Sequence, residues 1–187
     1  MNDRNAASRR MVLASLAWAL PSTALLGGML APAREAFGKA SETDLNGTSA
    51  APDCVLKLAP SGQSVSLDKF RGKVLYVDFW ASWCTPCLLS FPFMNQLQTS
   101  YAGQGLQVLA VNMDEKPDDA RQFLAEHPAS FSVAMGPNPQ CAKEFGVADM
   151  PSSFLVDRAG IVRGRHSGFR PGDVGSLRAL VARLLAE

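Results

Sequence analysis

The stretch Val74-Leu75-Tyr76-Val77-Asp78-Phe79-Trp80-Ala81-Ser82-Trp83-Cys84-Thr85-Pro86-Cys87 carries the information that decides the fold. Its first half is a near-continuous apolar run bounded by Gly72 and an aromatic turn, the pattern of a central strand buried on both faces. Its second half places two cysteines at C-x-x-C spacing just before the apolar segment Leu88 to Leu97. Strand, turn and dithiol at a helix start follow in that order. Two thiols so spaced can close a small disulfide ring. At a helix N-terminus the first thiol meets unpaired backbone N–H groups and the positive end of the helix dipole. Both favour thiolate, the nucleophilic form of cysteine. The stretch therefore points to thiol–disulfide exchange.

Outward from it, the segments on either side alternate. Ala51 to Leu58 reads as an extended N-terminal strand, Pro60-Ser61-Gly62-Gln63 as a turn, and Val65, Leu67 and Phe70 as a hairpin return with a short turn at Asp68 to Gly72. Pro86 to Tyr101 is a helix containing Pro92, Leu106 to Met113 a second buried strand, and Lys116-Pro117-Asp118-Asp119 the start of a helix carrying Ala120, Phe123 and Leu124. Ser130 to Met135 is a short strand and Gln140 to Phe145 a short helix. Ser152 to Val156 and Ile161 to Ser167 form a hairpin about Asp157-Arg158-Ala159-Gly160. Asp173 to Leu185 is an amphipathic closing helix. A βαβ half followed by a ββα half around one sheet is the thioredoxin arrangement, an α/β fold with a central mixed sheet flanked by helices. An N-terminal β-hairpin precedes it here, and a helical insert lies between the halves.

The chain has 187 residues, 47% hydrophobic and 19% charged, which suits a globular domain with a leader. Its formal net charge of +1 argues against nucleic-acid binding. Residues 1–40 hold five basic groups and two acidic ones, leaving 13 basic and 15 acidic groups in the remainder. Ser8-Arg9-Arg10 precedes an apolar run from Met11 to Leu30, the pattern of an export signal that also resembles a twin-arginine signal. Cleavage after Ala33 or Ala40 would remove it. An uncleaved membrane anchor is the alternative, since the run is long enough to span a bilayer although Pro21 and Gly27-Gly28 interrupt it. A cytosolic tail is the third reading. Three parts are therefore expected: residues 1–40 as signal peptide or membrane anchor, 41–50 as polar tether, and 51–187 as the thioredoxin-like domain.

With these residues in view the family can be named as a resemblance. Val77 to Cys87 is similar to the thioredoxin active-site strand and turn. Ala51-Pro52-Asp53, Ser66 to Val74, Met150-Pro151-Ser152-Ser153-Phe154-Leu155-Val156-Asp157-Arg158-Ala159-Gly160 and Arg165-His166-Ser167-Gly168-Phe169 narrow it. Together they resemble the TlpA/ResA/CcmG group of exported thioredoxin-like proteins over roughly residues 50–187. The resemblance implies a thiol:disulfide oxidoreductase, usually a reductase, with no cofactor. Family members act on apocytochrome c thiols, copper-site proteins or other exported disulfides, and a membrane electron donor re-reduces them. It implies a periplasmic or otherwise extracytoplasmic site and a disulfide-containing exported protein as partner. A monomer is expected.

Cys84 should be the exposed attacker and Cys87 the resolving thiol, with Thr85 and Pro86 tuning the redox poise. The Cys84 pKa should fall toward about 7, the thioredoxin-like value. Asp78, flanked by Val77 and Phe79 on the buried strand, should have its pKa raised by desolvation and serve as proton acceptor for Cys87. It matches the buried acid of thioredoxin where many TlpA-like chains have Asn. The resemblance makes Pro151 a cis-proline facing the disulfide, with Met150 offering its backbone to an extended substrate. Trp83, Thr85 and Pro86 complete the expected substrate-binding set. Ser90 stands where ResA-like members often carry an acid, which shifts proton handling onto Asp78. Leu88 and Leu89 are read either as core or as an apolar docking surface.

Cys54 and Cys141 have three readings: a structural disulfide, two buried free thiols, or one further redox thiol. A zinc half-site at Cys84 and Cys87 lacks a second ligand pair, so no metal is expected. His127 and His166 are not read as ligands. Two other functions share the fold. A peroxidase would need a lone cysteine in a Pro-x-x-x-Thr-x-x-Cys turn, and a copper-delivery module would favour C-x-x-x-C spacing.

Overall fold

The computed structural model describes residues 49–187. The expected signal or anchor and nearly all of the tether lie outside the described residues. Among the described residues no helix is long and apolar enough to cross a membrane.

The strand anticipated at the centre is there: β3, Val74–Trp80, has all seven residues buried. It is followed by α1, Thr85–Tyr101, which returns the chain to β4, Leu106–Asn112. β4 runs parallel to β3 with Val74 opposite Leu106 and Trp80 opposite Asn112. Gly105 makes the bend into β4 at φ 96°, a backbone region that side-chain-bearing residues seldom occupy. Then come α2, Pro117–Glu126, β5, Ser132–Ala134, and α3, Pro139–Glu144. The second half is β6, Ser152–Val156, β7, Val162–Ser167, and α4, Val174–Ala186. β6 lies antiparallel to β3 with Phe79 opposite Ser152. In the turn between β6 and β7 the Asp157 carboxylate accepts hydrogen bonds from the backbone N–H groups of Ala159 and Ile161.

The N-terminal hairpin consists of β1, Val55–Leu58, and β2, Gln63–Ser66. Among the described residues the sheet has the order β2-β1-β5-β4-β3-β6-β7. The short strand expected at Ser130 to Met135 is present as β5, and it joins the hairpin to the main sheet through the Leu58–Ala134 pair, a junction the sequence reading did not include. One boundary differs: the first strand begins at Val55 and not at Ala51. Pro52 has no N–H for a ladder, and the Ala51 N–H is spent on the Gly160 carbonyl, 2.8 Å away.

Alternation along β3 divides the core. Tyr76 and Trp80 face a cluster that includes Phe91, Met94 and Leu97 of α1, Phe123 of α2, and Leu177, Val181 and Leu184 of α4. Val77 and Phe79 face the other cluster, with Leu56, Leu67, Ala142, Phe145 and Phe154. Asp78 falls by parity on the first face, the one that also holds Cys84 and Cys87.

Candidate active site

The site forms where three chain segments end at one edge of the sheet. β3 and β4 run parallel and finish there, and the antiparallel β6 begins there. The carboxyl ends of parallel strands are where open α/β sheets place their chemistry.

From Trp80 the chain turns through Ala81-Ser82-Trp83 into Cys84, the N-cap of α1. Cys84 and Cys87 are joined in a disulfide. The backbone N–H of Cys87 points at the Cys84 sulfur, 3.2 Å away. Such a donor stabilises negative charge on that sulfur when the bond is opened. Pro86 sits in the first turn of the helix, where its missing N–H costs no intrahelical bond. Cys87 is fully buried and Cys84 only 5% exposed. The expectation of an exposed attacker is therefore corrected in degree. In the bonded state Cys84 is nearly covered, because its sulfur is turned back over the helix start toward Cys87. What stands open around it is Trp83, 69% exposed, with Thr85, Pro86, Leu88 and Leu89. Leu88 and Leu89 are 38% and 51% exposed, so they are not core residues.

Asp78 lies wholly buried beneath this turn. Its Oδ1 accepts a hydrogen bond from Ser153 Oγ at 2.7 Å, and Ser153 Oγ in turn accepts one from the Tyr76 hydroxyl at 2.8 Å. Asp78 Oδ2 has no hydrogen-bond partner among the described residues. Burial pushes the Asp78 pKa up from 3.8 to about 7, and the Ser153 hydrogen bond pulls modestly the other way. Burial likewise pushes the Tyr76 phenol upward, so it stays a donor.

Met150–Pro151 is a cis peptide bond, and Pro151 is buried directly before β6. Met150 packs against the cluster that contains Cys84 and Cys87. Ser90 is buried and donates its hydroxyl to the Cys87 carbonyl at 2.9 Å, a bond to its own helix that brings no acid to the sulfurs. His166 is buried with its Nε2 3.2 Å from Asp173 Oδ2. His127 ends α2 with its ring against Phe123. Cys54 and Cys141 are far from this chemistry in the chain, and a second disulfide joins them across a separation of 87 residues.

Two groups escaped the sequence reading. Asp114 is buried just past β4, and its carboxylate accepts the Ser82 N–H at 3.0 and 3.1 Å and the Ser82 hydroxyl at 3.0 Å. Asn112 donates its side-chain amide to the same carboxylate at 2.7 Å. This cluster clamps the turn that presents Cys84. The available signal was the pair Asn112-x-Asp114 closing an apolar strand. Ser153 had a weaker one, a polar residue inside the apolar run after Pro151. No other Asp, Glu, Lys, Arg or His occurs between Asp78 and Asp114, so α1 carries no charge.

Fold and site together define a thioredoxin-fold protein with a dithiol–disulfide centre. By its match to the redoxin family model over residues 46–181, the chain belongs to that family, and within it to the TlpA/ResA/CcmG-like thioredoxin-fold group. It is 34% identical over 101 residues to the thiol-disulfide oxidoreductase ResA of Bacillus thuringiensis subsp. konkukian, covering 54% of this chain and 58% of that one. To ResA of Geobacillus thermodenitrificans it is 35% identical over 115 residues, covering 62% and 66%. The aligned part is thus under two thirds of those relatives. A solved structure from Chlorobium tepidum, assigned as thiol:disulfide interchange protein DsbE, shares 47% identity at a TM-score of 0.72. It is matched over 99% of its length and 76% of this chain.

Proposed function

We propose that this protein is an exported thiol:disulfide oxidoreductase that reduces disulfides in other exported proteins. The observation that carries the reading is the Cys84–Cys87 disulfide at the N-terminus of α1, on the same face of the sheet as the buried Asp78. The names of the ResA relatives and the DsbE structure support the same chemistry.

In the reduced protein the Cys84 thiolate attacks one sulfur of a substrate disulfide. The substrate S–S bond breaks, a mixed disulfide to Cys84 forms, and a substrate thiolate leaves. Cys87 then gives its proton to Asp78 and attacks Cys84. The mixed disulfide breaks, the second substrate sulfur leaves as thiolate and is protonated, and the Cys84–Cys87 bond is restored. The substrate gains two electrons and the protein loses two, to be returned by a membrane electron donor. Trp83, Thr85, Pro86, Met150 and Pro151 bind the substrate around the disulfide. Asp78 suits the acceptor role because a carboxyl with pKa about 7 both takes and returns a proton at neutral pH.

The leader at residues 1–40 and the family resemblance support a periplasmic location. They also support a task in cytochrome c maturation or copper-site assembly. Turbidimetric insulin reduction with dithiothreitol tests the activity. Wild type is expected to accelerate it, Cys84→Ser to fall to the uncatalysed rate, and Cys87→Ser to accumulate a mixed disulfide. An unchanged rate in Cys84→Ser overturns the reading. A reduction potential near that of a strong oxidant, about −120 mV, overturns its direction.

A further inference from the structure

We propose that Ser153 is a positioning residue for Asp78: its hydroxyl, oriented by Tyr76, holds Oδ1 and leaves Oδ2 as the oxygen that exchanges a proton with Cys87. The proposal rests on the reading of Asp78 as the proton acceptor.

The argument is a count of donors. Tyr76 has one O–H, directed at Ser153 Oγ over 2.8 Å. Ser153 has one O–H, directed at Asp78 Oδ1 over 2.7 Å. All three side chains are buried, and Asp78 and Ser153 are register partners across β3 and β6. A proton placed on Oδ1 would reverse this bond, making Asp78 the donor to the second lone pair of the serine oxygen. It would also strand the serine's own proton in an apolar interior, which costs roughly 1–3 kcal/mol. A proton on Oδ2 leaves the chain of hydrogen bonds intact. Oδ2 is also the oxygen without a partner among the described residues.

Among the described residues, burial and the Ser153 hydrogen bond act on Asp78, and no charged group competes with them. Its own strand presents Tyr76 and Trp80 on that face. β4 places Ala110 opposite it. α1 contributes Cys84 and Cys87, and α4 turns inward Leu177, Leu180, Val181 and Leu184. One strand further out, His166 pairs in register with Ser153 and bonds Asp173.

The test follows the Asp78 carboxyl carbon by 13C NMR through a pH titration of the full protein. It is paired with the rate at which a mixed disulfide on Cys84 is resolved. Loss of a donor to the carboxylate disfavours its charged form. In Ser153→Ala the Asp78 midpoint is therefore expected to move up by about one pH unit, and the pH limb of resolution to move with it. Ser153→Thr, which keeps the hydroxyl, should titrate as wild type. Tyr76→Phe, which removes only the distal hydroxyl, should move the midpoint in the same direction by less. A general loss of packing would lower the melting temperature without moving that limb. An Asp78 midpoint unmoved in both Ser153→Ala and Tyr76→Phe overturns the proposal while leaving the acceptor reading standing. Wild-type resolution in Asp78→Asn overturns the acceptor reading, and the proton exchange at Oδ2 with it.

Discussion

The two disulfides differ in almost everything except burial. Cys54 and Cys84 are each 5% exposed, and Cys141 and Cys87 are more deeply covered still. Burial therefore does not distinguish the bond proposed to react from one that ties the chain together. Setting does. Cys84–Cys87 spans three residues at a helix start, with an N–H aimed at one sulfur and a protonatable carboxyl on the strand below. Cys54–Cys141 ties the segment before β1 to α3, among Leu56, Phe145 and Phe154. Opening the first frees little chain. Opening the second releases an 87-residue loop, worth about 4–5 kcal/mol in the chain-entropy model.

The comparison breaks most decisively at the second bond. Replacing Cys54 and Cys141 together by Ala should lower unfolding stability by about 4 kcal/mol while leaving insulin reduction at low temperature near wild type. Denaturant melts and the turnover assay measure the two halves separately. A loss of turnover without a loss of stability would erase the distinction.

A similar magnitude attaches to Asp78, with a sign set by pH. Its folded pKa of about 7 lies above its ordinary 3.8. The stabilising contribution is thus fully present below the unfolded value and is lost as pH rises through the folded one. Asp78→Asn should gain stability over wild type progressively between about pH 4 and 7, approaching about 4 kcal/mol, and level off above. Melting temperatures at several pH values follow this directly, and a pH-independent difference would show that Asp78 titrates normally.

A smaller effect is expected from the clamp on the reactive turn. Asp114→Asn removes the charge that holds the Ser82 N–H and hydroxyl, at a cost of about 1–3 kcal/mol. Insulin reduction should fall several-fold, because Cys84 is less firmly presented. The counterpart change at Asn138, which caps α3 beside Cys141, should leave turnover unaffected. Equal effects on turnover would say that both turns only hold the fold.

How much of this was legible in the chain depended on range. β3 could be read from Val74–Trp80 because a strand buried on both faces needs no partner to announce itself. The C-x-x-C pair and the burial of Asp78 were legible for the same local reason. The junction of the hairpin to β5 was not, since one residue pair, Leu58 with Ala134, leaves no periodic trace. Ser153 and Asp114 were missed because their meaning lies in register and in a side chain reaching 32 residues back along the chain. The exposure of Leu88 and Leu89 was left undecided because an apolar pair on a helix does not say which side is covered.

The absence of charge along α1 has a consequence for encounter. A partner approaching Cys84 over the first turns of that helix crosses Trp83, Thr85, Pro86, Leu88 and Leu89, with no ionic side chain on the helix itself. The helix itself supplies no charge to hasten or select its arrival, and capture over this face is expected in the unsteered range of about 10⁵–10⁶ M⁻¹s⁻¹. Such a rate should vary little with ionic strength, which stopped-flow mixing across a salt series checks.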